Sequence, residues 1–202
     1  MENAAIGCTG EGVMPYHSLP RPWIADIGPG SNPMPFCNIL VDKFPEENTH
    51  RQRDLQTDGK CFIEGDVCAL PFADKELDFV HCAHVLEHLE DPQQGVAELN
   101  RVAARGMIVV PCIYQEAVAR ANTPGMQVGH RWLIYRERTH GLFFLPCRVD
   151  DRWKTIRLLE SLGLWPVRND YGYGAELRFC WGFGEWPEEL SIVTPEKADA
   201  GP

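Results

Sequence analysis

Short apolar runs, mostly β-branched and several ending in aspartate, recur through the first half of the chain. Pro22 to Ile27 is the first, Asn38 to Asp42 the second and Cys61 to Asp66 the third. Leu77 to Ala83 is the fourth and Gly106 to Pro111 the fifth. Runs this short and apolar suit strands buried on both faces of a parallel sheet. Between the fourth and fifth the period changes. From about Pro92 to Ala104, the residues Val96, Leu99, Val102 and Ala103 fall on one stripe at helical spacing. Asp91 is placed to cap this helix, Pro92 to open it and Gly106 to stop it. The segment between the first two runs is too short and too proline-rich for a crossover helix, so a loop or single turn is expected there.

Beyond Pro111 the pattern differs. Trp132 to Tyr135 and Leu142 to Leu145 flank a polar turn containing Gly141. This reads as a β-hairpin insert over about residues 129–147. A helix is predicted from about Asp151 to Leu162, with Trp153, Ile156, Leu159 and Leu162 on its apolar face. A last strand is predicted from Ala175 to Phe183. Residues 1–20, rich in Gly and Pro, read as a flexible arm, and residues 185–202 as a disordered tail. One α/β domain over residues 21–184 is therefore expected.

A chain of 202 residues is long enough to bury a substantial core. Its net charge of −10 argues against a nucleic-acid partner, which would meet a basic face. The N-terminus has neither the basic nor the apolar region of a signal peptide, and no apolar run is long enough to span a membrane. None of the eight cysteines forms a C-x-x-C pair. Cys61, Cys82, Cys112 and Cys180 lie in apolar runs and read as small buried hydrophobes, which suits a reducing, cytoplasmic location.

The first run ends in Asp26-Ile27-Gly28-Pro29-Gly30. Glycines here let the backbone take positive φ and let a ligand approach without a Cβ in the way. A dinucleotide fingerprint would need a third glycine at position 33, where Pro33 stands, so the turn argues against NAD. In an open parallel sheet, Asp26, Asp42 and Asp66 would all lie along the carboxyl edge, where ligands bind. Asp42 is placed to accept both hydroxyls of a ribose. Asp66, with the backbone of Val67, is placed to read an adenine amino group. Asp26 and the bare peptides at Gly28 and Gly30 are placed near the ligand's amino-acid end. Each has a plainer alternative: Asp42 as a cap, Asp66-Val67 as a turn, Asp26 as a local hydrogen bond holding the glycine turn.

Here the sequence resembles the class I S-adenosylmethionine (SAM)-dependent methyltransferases. The resemblance runs through Ala25 to Gly30, Leu40 to Asp42, Gly65 to Phe72 and, most strongly, Leu77 to Pro92 with its His84-Val85-Leu86-Glu87-His88 core. It covers about residues 22–111. It implies a Rossmann-like, doubly wound, mostly parallel sheet with helices on both faces. It also implies SAM as cofactor, S-adenosylhomocysteine as product, and Ala83 and His84 beside the methionine portion. The expected activity is methyl transfer to a polar small molecule, such as a sugar, lipid precursor or natural product. The alternative is a SAM binder without catalysis on the same fold.

His84 and His88 are the candidate catalytic groups, since an imidazole titrates near neutrality and suits a general base. Glu87 beside them is open to packing or capping. His84 and His88 are four apart, but this is not H-E-x-x-H and no third ligand is evident, so no metal site is expected. His130, Trp132 and Tyr135 fall in the insert that in this fold shapes the acceptor pocket. The hairpin is equally suited to a lid or to a homodimer contact.

Overall fold

The five apolar runs form five parallel strands: β1 (Ile24–Ile27), β2 (Ile39–Asp42), β3 (Cys61–Glu64), β4 (Phe79–Ala83) and β5 (Gly106–Pro111). The computed structural model describes residues 15–47, 53–57, 59–111, 129–136, 142–146, 176–183 and 192–193. The hairpin strands are β6 (Trp132–Arg136) and β7 (Leu142–Pro146), followed by β8 (Glu176–Trp181) and β9 (Ile192–Val193). The main sheet runs β3-β2-β1-β4-β5-β8, with β8 antiparallel to β5. A second sheet runs β6-β7-β9. The fold is α/β, with a mixed, mostly parallel sheet. β6 and β7 pair antiparallel, and the turn that joins them lies outside the described residues.

The strands are apolar on both sides because both faces are covered. Ala25, Ile39, Leu40, Val41, Val80, Cys82, Ile108 and Val110 are all buried. Among the described residues there is one α-helix, α1 (Pro92–Val102). Asp91 caps it by accepting from the Gln94 N–H at 3.0 Å. Val96, Leu99 and Val102 are its buried stripe. The helix expected over 151–162, the tail over 185–202 and most of the arm lie outside the described residues.

Three expectations are corrected. Residues 15–20, expected within the flexible arm, pack onto the body: Tyr16 is 1% exposed, edge-on to Trp23 and Phe72. Gly106 does not stop α1. The chain is already extended at Ala103, which bridges to Leu77, and Gly106 opens β5. Its missing side chain leaves room for the buried indole of Trp181, whose nearest ring atom would lie 2.0 Å from a Cβ. Cys61 is buried as expected, yet it is disulfide-bonded, a pairing that spacing alone does not reveal. Cys37, Cys68 and Cys82 are free thiols.

Candidate functional site

Parallel pairing sets the carboxyl ends of the strands side by side. Ile27 is in register with Val41 and with Cys82, and Val41 with Ile63. The residues just beyond them therefore line up across the sheet in the order Asp66, Asp42, Gly28, His84. Four neighbouring strands span about 14 Å at the usual spacing.

Two glycines shape the middle of this edge. Gly28 has φ +66° and Gly30 φ +59°, a region that L side chains enter at a cost. The Gly28 N–H donates to the Val41 carbonyl at 2.8 Å, fastening the turn to β2. A Cβ on Gly28 would fall 2.4 Å from Cγ2 of Val85, whereas a Cβ on Gly30 would meet nothing within 4 Å. The first glycine is therefore packed and the second faces open space.

Asp26 lies beneath the turn rather than on the open edge, only 2% exposed. Its Oδ1 pairs with Nδ1 of the buried His81 at 2.7 Å, and its Oδ2 accepts the Met34 N–H at 2.8 Å. Register explains the pair, since Asp26 sits opposite His81 on β4. Its carboxylate ties the loop at Met34 to β4. Lys60 adds to this by donating to the carbonyls of Met34, Pro35 and Cys37. Burial, together with nearby Asp26, pushes the Cys37 thiol up to about 12, which keeps it protonated.

Asp42 is half-buried at the end of β2, and its Oδ1 accepts the Phe44 N–H at 2.8 Å, closing a tight turn. Asp66 Oδ1 accepts the Cys68 N–H at 2.9 Å, and Lys43 Nζ donates to its Oδ2 at 2.7 Å. Burial raises the Asp66 carboxyl, but Lys43 and the Cys68 N–H outweigh it and hold it below the usual carboxylate range. The Val67 side chain is buried in the core. The segment after it is anchored to α1. Glu98 accepts the Leu70 N–H at 2.8 Å and Arg101 Nε at 2.7 Å, while Arg101 donates to the carbonyls of Leu70 and Phe72. Hydrogen bonding from Arg101 holds the Glu98 carboxyl low, ahead of the opposing effect of burial.

Ala83 closes β4 opposite Val109. His84 follows with φ +57°, unusual for a residue with a Cβ, and its N–H donates to the Val109 carbonyl at 2.9 Å. A single 3-10 turn, Leu86–His88, comes next. The insert is stitched to it. The Arg131 N–H donates to the Glu87 carbonyl at 2.7 Å, Trp132 Nε1 to the Leu89 carbonyl at 2.8 Å, and Arg131 Nη2 to Glu90 at 3.1 Å. His130 is thereby set beside His88, with ring centroids 4.6 Å apart.

Gly28, Gly30, Asp42, Asp66, Ala83 and His84 thus share one edge. Sequence reasoning missed Lys43, His81 and Val85. Lys43 adjoins Asp42 and could have been read as a counter-charge for a strand-end carboxylate. His81 and Val85 emerge only once β1 and β4 are paired. A cleft of about 440 Å³ beside β3, lined in part by Pro45, Asp54, Leu55 and Glu64, holds none of the edge residues singled out above.

In open α/β sheets, ligands bind in the crevice outside the carboxyl ends of the strands, the edge that carries the glycine turn and the acidic strand ends here. Residues 37–110 match the family described as methyltransferase domain.

Similar solved structures include a SAM-dependent methyltransferase, possible histamine N-methyltransferase, from Thermotoga maritima. It is 22% identical over 48% of this chain and 47% of its own, with a TM-score of 0.36. A putative methyltransferase from Bacillus halodurans is 18% identical over 53% and 54%, at 0.35. A putative methyltransferase from an antibiotic biosynthesis pathway of Anabaena variabilis is 16% identical over 58% and 58%, at 0.39. The chain thus spans about half the length of these proteins. No helix among the described residues is long and apolar enough to cross a membrane.

Proposed function

We propose that the protein transfers the methyl group of SAM to a polar small molecule (a sugar, lipid precursor or natural product), releasing S-adenosylhomocysteine. The observation that carries this reading is the single row of Asp66, Asp42, Gly28 and His84 across four paired strands, with open space at Gly30 where a ligand needs it. Bound SAM supplies a methyl already activated by a sulfonium. The protein's task is then orientation, which alone lowers a barrier by several kcal/mol.

In this reading Asp42 accepts the ribose hydroxyls, while Asp66 and the Val67 backbone read the adenine amino group. Gly28 and Gly30 admit the amino-acid tail, and Asp26 acts through the loop it holds. Ala83 flanks the methionine portion. His84 and His88, at the mouth of the site, orient the acceptor and take its proton when the acceptor is a hydroxyl. The strained backbone of His84 supports a functional constraint there. Homodimerisation through the β6–β7 hairpin belongs to the same proposal.

The test is calorimetric titration with SAM, S-adenosylhomocysteine and NAD on Asp42 variants. Asp42→Asn keeps an oxygen for the Phe44 N–H but loses the charge; Asp42→Ala loses both. Both are expected to bind SAM at least tenfold more weakly, about 1.4 kcal/mol, with the fold intact. Full affinity in Asp42→Asn with loss only in Asp42→Ala would make the residue a turn former and nothing more.

A further inference from the structure

We propose that Glu87, His88 and His130 form a binding site for one divalent first-row transition-metal ion. Metal binding here can be measured apart from methyl transfer, but it withdraws His88 from the proton-accepting role proposed above. The donor atoms of the three residues all lie within 4.8 Å of one another. Tetrahedral coordination at metal–ligand distances near 2.0–2.1 Å asks for donors roughly 3.4 Å apart, a contraction within reach of side-chain torsions.

The second observation is the state of Glu87. Its side chain is 1% exposed, and neither carboxylate oxygen accepts a hydrogen bond. His84 Nδ1 stands 3.4 Å from Oε1, an ion pair only when that imidazole is protonated and without hydrogen-bond geometry. A buried carboxylate in that condition is costly unless a cation answers it. Its atoms are directed at two imidazoles, which together with it make a His-His-carboxylate donor set. That set suits zinc and its first-row neighbours better than magnesium or calcium, which prefer oxygen.

The orientation of His88 agrees. Its Nδ1 lies 3.3 Å from the Gly129 carbonyl. Donation of Nδ1–H there leaves Nε2 as the donor to an ion, the usual arrangement around ligating histidines. His130 reaches the cluster because Arg131 and Trp132 tie the insert to residues 87–90. The third ligand, not evident from the sequence, thus comes from the insert. The assignment makes His88 a ligand and leaves His84 as the proton acceptor of the proposed reaction.

The experiment uses the full chain freed of tag histidines, stripped with a chelator and dialysed, then titrated with Co²⁺ and back-titrated with Zn²⁺. One equivalent of Co²⁺ is expected to give visible d–d bands without a thiolate charge-transfer band, and Zn²⁺ to displace it. Glu87→Gln and His130→Ala should each weaken binding at least tenfold. Glu87 is buried, so the partly exposed His130 supplies the variant that decides if Glu87→Gln fails to fold. Absence of stoichiometric binding, a thiolate band, or affinity unchanged in His130→Ala would overturn the site. SAM titration of the same metal-free samples keeps the two readings apart: cobalt binding without SAM binding would uphold this site and sink the proposed function.

Discussion

The two glycines of the β1 turn share a conformation but not a neighbourhood, and alanine at each should therefore have different consequences. Both have positive φ, so alanine costs about 1–2 kcal/mol at either position through backbone conformation alone. At Gly28 the new methyl also lands 2.4 Å from Val85 Cγ2. Valine is short and stiff at χ1, and relieving such overlap in packed surroundings costs a further 1–3 kcal/mol or so. Gly28→Ala should therefore lose about 2–5 kcal/mol and Gly30→Ala about 1–2 kcal/mol in urea unfolding. Adding Val85→Ala to Gly28→Ala should restore the steric part, so that the double variant is more stable than the sum of the singles by about 1–3 kcal/mol. Binding should follow the reverse order among folded variants. The Gly30 methyl projects into open space at the proposed ligand edge, so Gly30→Ala should lose SAM affinity out of proportion to its modest loss of stability. Equal destabilisation at the two positions would refute the steric argument. Unchanged SAM affinity in Gly30→Ala would refute the placement of the ligand.

Glu98 accepts the Leu70 N–H and two N–H groups of Arg101, so Glu98→Gln should cost about 1.5–3 kcal/mol at neutral pH. Its carboxyl is held below its unfolded value, so its contribution is complete above that value, about pH 4.3, and is lost as pH falls through the folded pKa. Stability of wild type and variant, measured by urea unfolding, should therefore converge in acid; a pH-independent gap would rule out the ion pair as the cause. Gly106→Ala forces a methyl into the Trp181 ring and should cost about 1–3 kcal/mol with a change in tryptophan emission. Unaltered stability and emission there would mean that the indole does not occupy that slot.

The parallel core was legible because burial on both faces removes polar residues from strands, leaving runs such as Ile39-Leu40-Val41 between turns. Helix α1 was legible because its cap, opening proline and apolar stripe all agree. What escaped was whatever depends on register or on distant packing. Asp26 reads from the sequence as a residue of the open edge. Pairing with β4 sets it against His81 and takes both of its oxygens. Gly106 has the spacing of a helix stop, and only the return of β8 reveals the indole it accommodates. His130 gives no local sign of a link to His88, because the link is made by backbone and indole bonds from its neighbours Arg131 and Trp132.

The return of β8 also bears on the order in which the molecule can be completed. The strands from β3 to β5 are contiguous in the first half of the chain and emerge from synthesis together. β5 then presents an open row of amides and carbonyls, and a slot over Gly106, until Trp181 has been made. An unpaired edge of this kind recruits other strands. The nascent chain therefore carries an exposed edge through the whole time that the insert is being synthesised. Adhesion between incomplete chains is the hazard that β8 removes.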